Sequence, residues 1–284
     1  MKIKTFHDYC RERFGEKLYK ISLDGGFSCP NRVSRSEGGC AFCAGGSGFF
    51  TASDWEAAKA QVAKKYKGER FIPYFQCYTN TYAPVAELDA LYRPFLERED
   101  VAALAIGTRP DCLPPEVVAL LGEFSRIKPL FVELGLQTAN DTTAEAFGRG
   151  YQTAVFLEAV DALKQYPAIH IVAHLMVGLP GETVEDLLKT VETVNRAGVH
   201  GVKVQLLHIL EGTPYAEQYR RGEISTLSME EYGDWLEAAL KALDPDLVVH
   251  RITGDGPKKL LIAPLWSGDK KRVLNYLNGR IAQI

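Results

Sequence analysis

Three cysteines carry the clearest chemistry in this chain. Cys29, Cys40 and Cys43 fall in CPNRVSRSEGGCAFC, with ten residues between the first pair and two between the second. Thiolates are soft ligands that suit zinc or iron–sulfur clusters. Structural zinc closes with four ligands, usually two CxxC-like pairs. Only Cys40 and Cys43 form such a pair, Cys29 stands alone, and a fourth ligand such as His7 would have to come from elsewhere. A [4Fe–4S] cluster held by three thiolates keeps one iron open, which is what a cluster needs to bind a substrate or cofactor directly. Gly38-Gly39 before Cys40 and Gly45-Gly46 after Cys43 suit a tight wrap around a bound group better than a packed strand. The spacing therefore points to a metal or cluster site, iron–sulfur before zinc, and away from three ordinary core cysteines.

The elements that must position this loop alternate along the chain. Apolar runs at KLYKISLD, FIPYFQCY, VAALAIGT, LFVELGLQ, HIVAHLMVGL and GVKVQLLHIL read as strands, and LVVHRITG as a further one. Between them lie helical patterns: about Ser53 to Lys67, APVAELDALYRPFLER, PPEVVALLGEFSRI with Pro at its start, one or two helices over Thr142 to Gln165, VEDLLKTVETVNRAG closed by Gly198, and MEEYGDWLEAALKAL. Apolar strands alternating with helices predict a parallel sheet buried on both faces. Six or more units fit a full or partial (β/α) barrel, and no GxGxxG follows the first strand, which argues against a dinucleotide fold. Chemistry in such barrels collects at the C-terminal ends of the strands. The cysteine loop follows the first strand, at that end.

Several of these stretches, taken in order, resemble one family. Phe42 directly precedes the last cysteine, the cysteine loop follows the first strand, and GLPGE comes later. With KISLDGGFSCPNR, YFQCYTNTYAP, IGTRPDCLP, VELGLQT, HLMVGLPGET, HILEGTP and RITGDGPKKLLIAPLW, the chain resembles the radical S-adenosylmethionine (SAM) superfamily. The widened first cysteine gap is similar to the branch that includes the catalytic subunit of elongator, and most of all to small bacterial YhcC/YtqA-type proteins. The resemblance implies an α/β fold, a partial (β/α)6-type TIM barrel with an N-terminal cluster loop and a C-terminal extension. It divides the chain into a barrel over 1–250, with the cluster loop at 26–48, and a basic extension over 251–284 packed on the barrel.

The same resemblance assigns roles. Cys29, Cys40 and Cys43 would ligate a [4Fe–4S] cluster whose open iron takes the amino and carboxylate groups of SAM. Tyr78, Thr79 and Asn80 occupy the place where the superfamily holds the methionine amine, without its usual Gly-Gly-Glu run, so backbone carbonyls or Thr79 and Asn80 would serve. Arg109 would meet the SAM carboxylate or a substrate phosphate, unless it is a structural cap before Pro110. Glu133 and Gln137 interrupt a buried run and would bond a ligand or each other, or belong to a satisfied core network. Gly178, Leu179 and Pro180 would pack against adenine, with Gly178 letting the backbone approach closely. Glu133, Gln137 and Cys112 are candidates for the catalytic role. Cys77 and Cys112 end strands near the site, although a free buried Cys is the commoner case, and Cys10 has no assigned role. Glu182 could simply favour the start of the following helix. His174 and His208 read first as core residues. Relatives tend to carry Arg-Gly-His where this chain has GRGYQT, with Tyr151 in place of that His, so the substrate does not carry over in detail.

The rest of the composition sets the partners. There is no apolar run of the ~18–20 residues a bilayer needs, and no apolar leader segment near Met1, so a cytoplasmic protein without membrane association is expected. Net charge is −3, yet residues 251–280 carry +5 and the remainder −8. Lys258, Lys259, Lys270, Lys271 and Arg272 are therefore candidate nucleic-acid contacts, unless they form a solvated helix face. By the resemblance, the protein would be a radical SAM enzyme. It would cleave SAM reductively to a 5′-deoxyadenosyl radical, take its electron from a low-potential flavodoxin- or ferredoxin-type donor, and act on a modified wobble uridine in tRNA. Acetyl transfer is not expected, since elongator's acetyltransferase domain is missing. The alternatives are a radical enzyme acting on a protein or small metabolite, and a metal-stabilised RNA-binding protein without catalysis.

Overall fold

The computed structural model describes residues 3–45, 54–64, 66, 68–254 and 256–284. Gly46 and the end of the 26–48 loop, Ser53 and Lys67 at the limits of the expected second helix, and Asp255 lie outside the described residues. Helix α1 (Phe6–Phe14) opens on a reciprocal cap between Thr5 and Asp8. Strand β1 (Lys20–Leu23), helix α2 (Trp55–Ala63) and strand β2 (Ile72–Phe75) follow, then α3 (Val85–Leu96), β3 (Leu104–Thr108), α4 (Pro115–Ile127) and β4 (Leu130–Gln137). The stretch expected to hold one or two helices holds two, α5 (Asp141–Ala146) and α6 (Thr153–Lys164). Next come β5 (Ile169–Val177), α7 (Val184–Ala197) and β6 (Gly201–Leu206). Gly198 closes α7 at φ +68°, a conformation that favours glycine. The run GVKVQLLHIL is not one strand: β6 ends at Leu206, and β7 (Ile209–Leu210) pairs elsewhere. Helices α8 (Pro214–Arg220) and α9 (Met229–Ala242), strands β8 (Val248–Arg251) and β9 (Leu261–Ala263) and helix α10 (Lys270–Ile281) complete the chain.

Among the described residues, seven strands pair in parallel in the order β1-β2-β3-β4-β5-β6-β8, while β7 and β9 form a small antiparallel pair. Side chains alternate across each strand. On β4, Leu130, Val132, Leu134 and Leu136 join the large core shared with the helices. Phe131 faces the other way, into a second core with Phe6, Ile72, Tyr74 and Val172. The sheet is curled. Lys20 on edge strand β1 reaches Glu133 on central strand β4 at 2.5 Å and His250 on the opposite edge strand β8 at 3.2 Å. Side chains of the two edges can meet only across a concave face, so this is a half-barrel, a partial TIM-type barrel as expected. Helix α1 packs into its lower end, with Phe6 against Phe131 and His250 at ring-centroid distances of 5.7 and 4.6 Å. After β8, α10 lies on α9, where Arg280 pairs with Glu237 at 2.8 Å and Asp234 at 2.7 Å.

Candidate active site at the strand ends

A cavity of about 170 Å3 opens where β2, β3 and β4 end, and Cys29, Cys40 and Cys43 all line it. Each cysteine sulfur has its own N–H donor. Asn31 Nδ2 lies 3.4 Å from Cys40 Sγ, Arg32 Nη2 3.4 Å from Cys43 Sγ, and Arg109 Nη1 3.8 Å from Cys29 Sγ. These donors are themselves fixed. Asn31 Nδ2 also donates to the carbonyls of Gly148 and Arg149, Arg32 to those of Cys43 and Arg35, and Arg109 to both carboxylate oxygens of Asp111. Gly39 sits at φ +108°, and a Cβ there would stand 2.9 Å from the Arg32 guanidinium. Glycine thus makes room for the arginine that serves Cys43. Burial pushes the Cys40 thiol up to about 11, against the Asn31 contact. Among the described residues, no three of the His, Cys, Asp and Glu side chains are grouped around a single metal ion. Three sulfurs on residues that line one cavity, each facing an N–H, match the donor set of an iron–sulfur cluster, whose sulfurs carry negative charge and accept such bonds.

Among the described residues, two non-glycine residues adopt left-handed backbone, Tyr78 at φ +60° and Gln137 at φ +61°, and both line this cavity. Such conformations cost energy and cluster at functional sites. Thr79 lines the cavity too, fully buried, with its hydroxyl unpaired. Asn80 does not line it. Its side-chain amide donates to the carbonyls of Phe75, Cys77 and Gly107 at 2.9–3.1 Å and braces β2 against β3. Arg109 lines the cavity with Tyr151, and the Tyr151 hydroxyl donates to the Gly135 carbonyl.

Glu133 also reaches the cavity, but it bonds Lys20, Lys203 and His174, not Gln137. Burial alone would raise its pKa; Lys20 and Lys203 override this and hold the carboxyl well below the usual carboxylate range. Cys112 lies on a separate cavity with Pro30, Thr81 and Pro114, and burial pushes its thiol up to about 12, which is not a nucleophile's environment. Gly178, Leu179 and Pro180 follow β5 away from the cavity lining. Gly178 has φ +85°, and Leu179 is buried beside Phe147 and Tyr215. Lys258 and Lys259 precede β9, while Lys270, Lys271 and Arg272 form the first turn of α10, exposed. Lys20, Asn31, Arg32, Arg149 and Lys203 were not singled out from the sequence. For Lys20 and Lys203 the signal was there, a charge inside an apolar strand run, as at Glu133.

The radical SAM superfamily model matches residues 29–194, and a radical SAM C-terminal domain model matches residues 199–283. This chain is a member of the radical SAM superfamily. It is 40% identical to YtqA of Bacillus subtilis (strain 168), over 96% of this chain and 88% of that protein. It is 35% identical to YhcC of Escherichia coli (strain K12), over 93% and 87%. A tRNA uridine(34) acetyltransferase of Methanocaldococcus infernus is 28% identical over 62% of this chain and 32% of its own length. The fold is similar to that of Methanocaldococcus infernus Elp3 with an N-terminal deletion, at TM-score 0.65 and 20% identity, covering 79% of this chain and 57% of that one. Membership makes the protein an enzyme of the radical SAM class, a class defined by SAM and a [4Fe–4S] cluster. Among the described residues no helix is long and apolar enough to cross a membrane.

Proposed function

We propose that this protein is a radical SAM enzyme of tRNA modification, acting on a modified wobble uridine in a tailoring or trimming step. The carrying observation is the cavity on which Cys29, Cys40 and Cys43 each meet an N–H donor. Those three thiolates would hold the cluster, and Asn31, Arg32 and Arg109 would stabilise their negative charge. When bound, cluster and SAM supply a 5′-deoxyadenosyl radical that takes hydrogen from a substrate carbon, after an electron arrives from a flavodoxin- or ferredoxin-type donor.

The remaining work falls to the chain. The buried Thr79 hydroxyl and the left-handed turns at Tyr78 and Gln137 orient polar groups of the bound molecule. Arg109, its fork held by Asp111 and its third nitrogen turned to Cys29, would add positive charge beside a bound carboxylate or phosphate. Gly178, Leu179 and Pro180 form the loop offered to adenine. Residues 251–284, carrying the basic side chains, act as the RNA-facing extension of the barrel formed by 1–250. The name of the tRNA uridine(34) acetyltransferase supports the substrate class.

The decisive experiment is mass spectrometry of tRNA nucleosides from cells with and without the gene. A wobble uridine that stops at an earlier modification in the deletion, and is restored by the wild-type gene but not by Cys40→Ala, is expected. Unchanged tRNA with an altered metabolite or protein would replace tRNA as the substrate.

A further inference from the structure

A belt of polar side chains crosses the inside of the half-barrel. Tyr74 on β2, Glu133 on β4, Lys203 on β6, His250 on β8 and Lys20 on β1 all meet there. Lys203 Nζ contacts the Tyr74 hydroxyl at 2.9 Å and a Glu133 oxygen. The other Glu133 oxygen takes Lys20 Nζ at 2.5 Å, Lys20 Nζ reaches His250 Nδ1 at 3.2 Å, and His250 Nε2 lies 3.1 Å from His170 Nε2. The two ends of this chain open on different spaces. Tyr74 and Glu133 line the cavity of the three cysteines, whereas His170 lines a cavity of about 430 Å3 at the opposite end of the strands.

We propose that this belt is a proton path, which accepts a proton at Tyr74 from a molecule in the cysteine-lined cavity and releases one at His170 into the opposite cavity. It rests on that first cavity being the reaction site, and not on which substrate enters it.

Charge and direction both favour it. Two amines face one carboxylate, so the belt is neutral only when it is one proton short. Burial pushes the Lys203 ammonium well below its ordinary range, which makes Lys203 the position that gives up its proton and can take another. Further cations stand near, Arg251 beside Lys203 and Lys4 beside His170, and disfavour any extra proton staying in the belt. From Lys20 to His170 the hydrogen bonds also run one way. The Lys20 ammonium donates to His250 Nδ1, which leaves His250 Nε2–H to donate to His170 Nε2 and His170 Nδ1–H to point onward. His174 Nε2–H donates to Glu133 while its Nδ1 accepts from Gln205, so it is satisfied as a side support. In the transfer the Tyr74 oxygen takes the incoming proton as its own passes to Lys203, and Lys203 hands one to the Glu133 carboxylate that bridges it to Lys20. Lys20 yields one to His250 and is refilled from Glu133, His250 yields one to His170, and His170 one to water. One proton enters, one leaves, and no electron moves.

A static core network would have the same contacts but would not exchange its protons with water along this route. The test is nuclear magnetic resonance of the cluster-loaded, full-length protein labelled with 15N-histidine, with no substrate added. The expected result is a His250 ring with Nδ1 bare and Nε2 protonated, whose proton exchanges with water within seconds. In His170→Phe and in His170→Gln, each shown folded by its thermal melt, that exchange slows by about tenfold or more. A Tyr74→Phe variant, blocked at the other end, keeps the wild-type rate. A His250 proton that persists for hours in the wild type, or one that exchanges equally fast in both His170 variants, overturns the path. Because the readout needs no turnover, it stands or falls separately from the tRNA assignment.

Discussion

The Tyr151 ring lies beneath the Arg109 guanidinium, 5.0 Å from ring centroid to Cζ, and its hydroxyl is tied to the Gly135 carbonyl at 2.5 Å. The tyrosine steadies the arginine that faces Cys29 Sγ. A cationic donor to a ligand sulfur stabilises the more negative, reduced state of a cluster. Removing it by Arg109→Gln should therefore lower the cluster's midpoint potential. A charged hydrogen bond near the weak end of its range, about 1.5 kcal/mol, corresponds to about 60 mV for one electron. Redox titration followed by electron paramagnetic resonance reads the shift directly. An unchanged potential would show that the 3.8 Å contact does not act on the cluster.

Iron content tests the three-thiol assignment. Anaerobically reconstituted protein should be brown and hold about four irons per chain. Cys29→Ala, Cys40→Ala and Cys43→Ala should each lose the visible absorbance and most of the iron. Cys10→Ala should keep both, because Cys10 is fully buried among Phe6, Leu18 and Ile72 at the other end of the barrel. Tight stoichiometric zinc with no iron uptake would sink the assignment.

The sequence made some of this architecture legible and hid the rest for physical reasons. Strand β4 was readable to the residue, because LFVELGLQ is a buried run bounded by Pro129 and Thr138. Strand β7 was not, because Ile209 and Leu210 continue the apolar run of β6 and only their pairing with β9 separates them. The cysteines declared themselves by spacing, whereas the donors on their sulfurs did not. Asn31 and Arg32 look like ordinary loop polarity until the fold brings Cys40 and Cys43 to them. Glu133 announced a cost, a charge in a buried strand, but not its remedy. Lys20 and Lys203 lie 113 and 70 residues away in sequence, and only the curl of the sheet makes them neighbours.

Gly178 carries a conformational demand besides its proposed place beside adenine. At φ +85° any side chain is strained, and a Cβ would stand 3.2 Å from Leu227 Cδ1. Gly178→Val should therefore cost about 1–3 kcal/mol of stability, a melting temperature lower by several degrees, besides any loss of SAM affinity. Calorimetry without SAM checks the first part and equilibrium binding of SAM the second. A variant as stable as the wild type would mean the loop relaxes freely around the new side chain.

Stability should fall in mild acid. Burial lowers His170 from 6.5 to about 3, and His174, His200 and His250 are also lowered, burial leading in each case. The unfolded chain then binds protons below pH 6.5 that the folded chain refuses. Stability contributed by His170 is complete above pH 6.5 and drains away as the pH drops toward about 3. The slope is at most about 1.4 kcal/mol per pH unit for each such histidine. Urea titrations from pH 7 to pH 4.5 should show this decline, with a shallower slope in His170→Phe. A flat profile over that range would mean these rings accept protons in the folded state.

The basic segment makes a prediction with two signs. Lys270, Lys271 and Arg272 sit in the first turn of α10, where the helix dipole disfavours positive charge, while the Asp269 side chain caps the turn through the Arg272 amide at 3.1 Å. Lys258 and Lys259 stand just before Leu260, which lines an open cavity with Arg32, Arg35 and Tyr78 on the outer side of the cysteine loop. If these charges serve tRNA phosphates, their placement trades helix stability for binding. Replacing all five with Gln should leave the melting temperature equal or higher, because the unfavourable charges leave the helix start. The same replacement should weaken tRNA binding and flatten its dependence on salt, by about 0.7 in the log–log slope for each single-strand phosphate that is no longer neutralised. Iron content and SAM cleavage without substrate should not move, since they depend on residues at the strand ends. Equal or greater stability with weaker, less salt-sensitive binding is the signature of a phosphate-tracking surface. Unchanged tRNA affinity at every salt concentration would show that the five side chains only solvate the helix and the turn before β9, and would move the search for the tRNA-binding surface to the arginines around the cysteine loop.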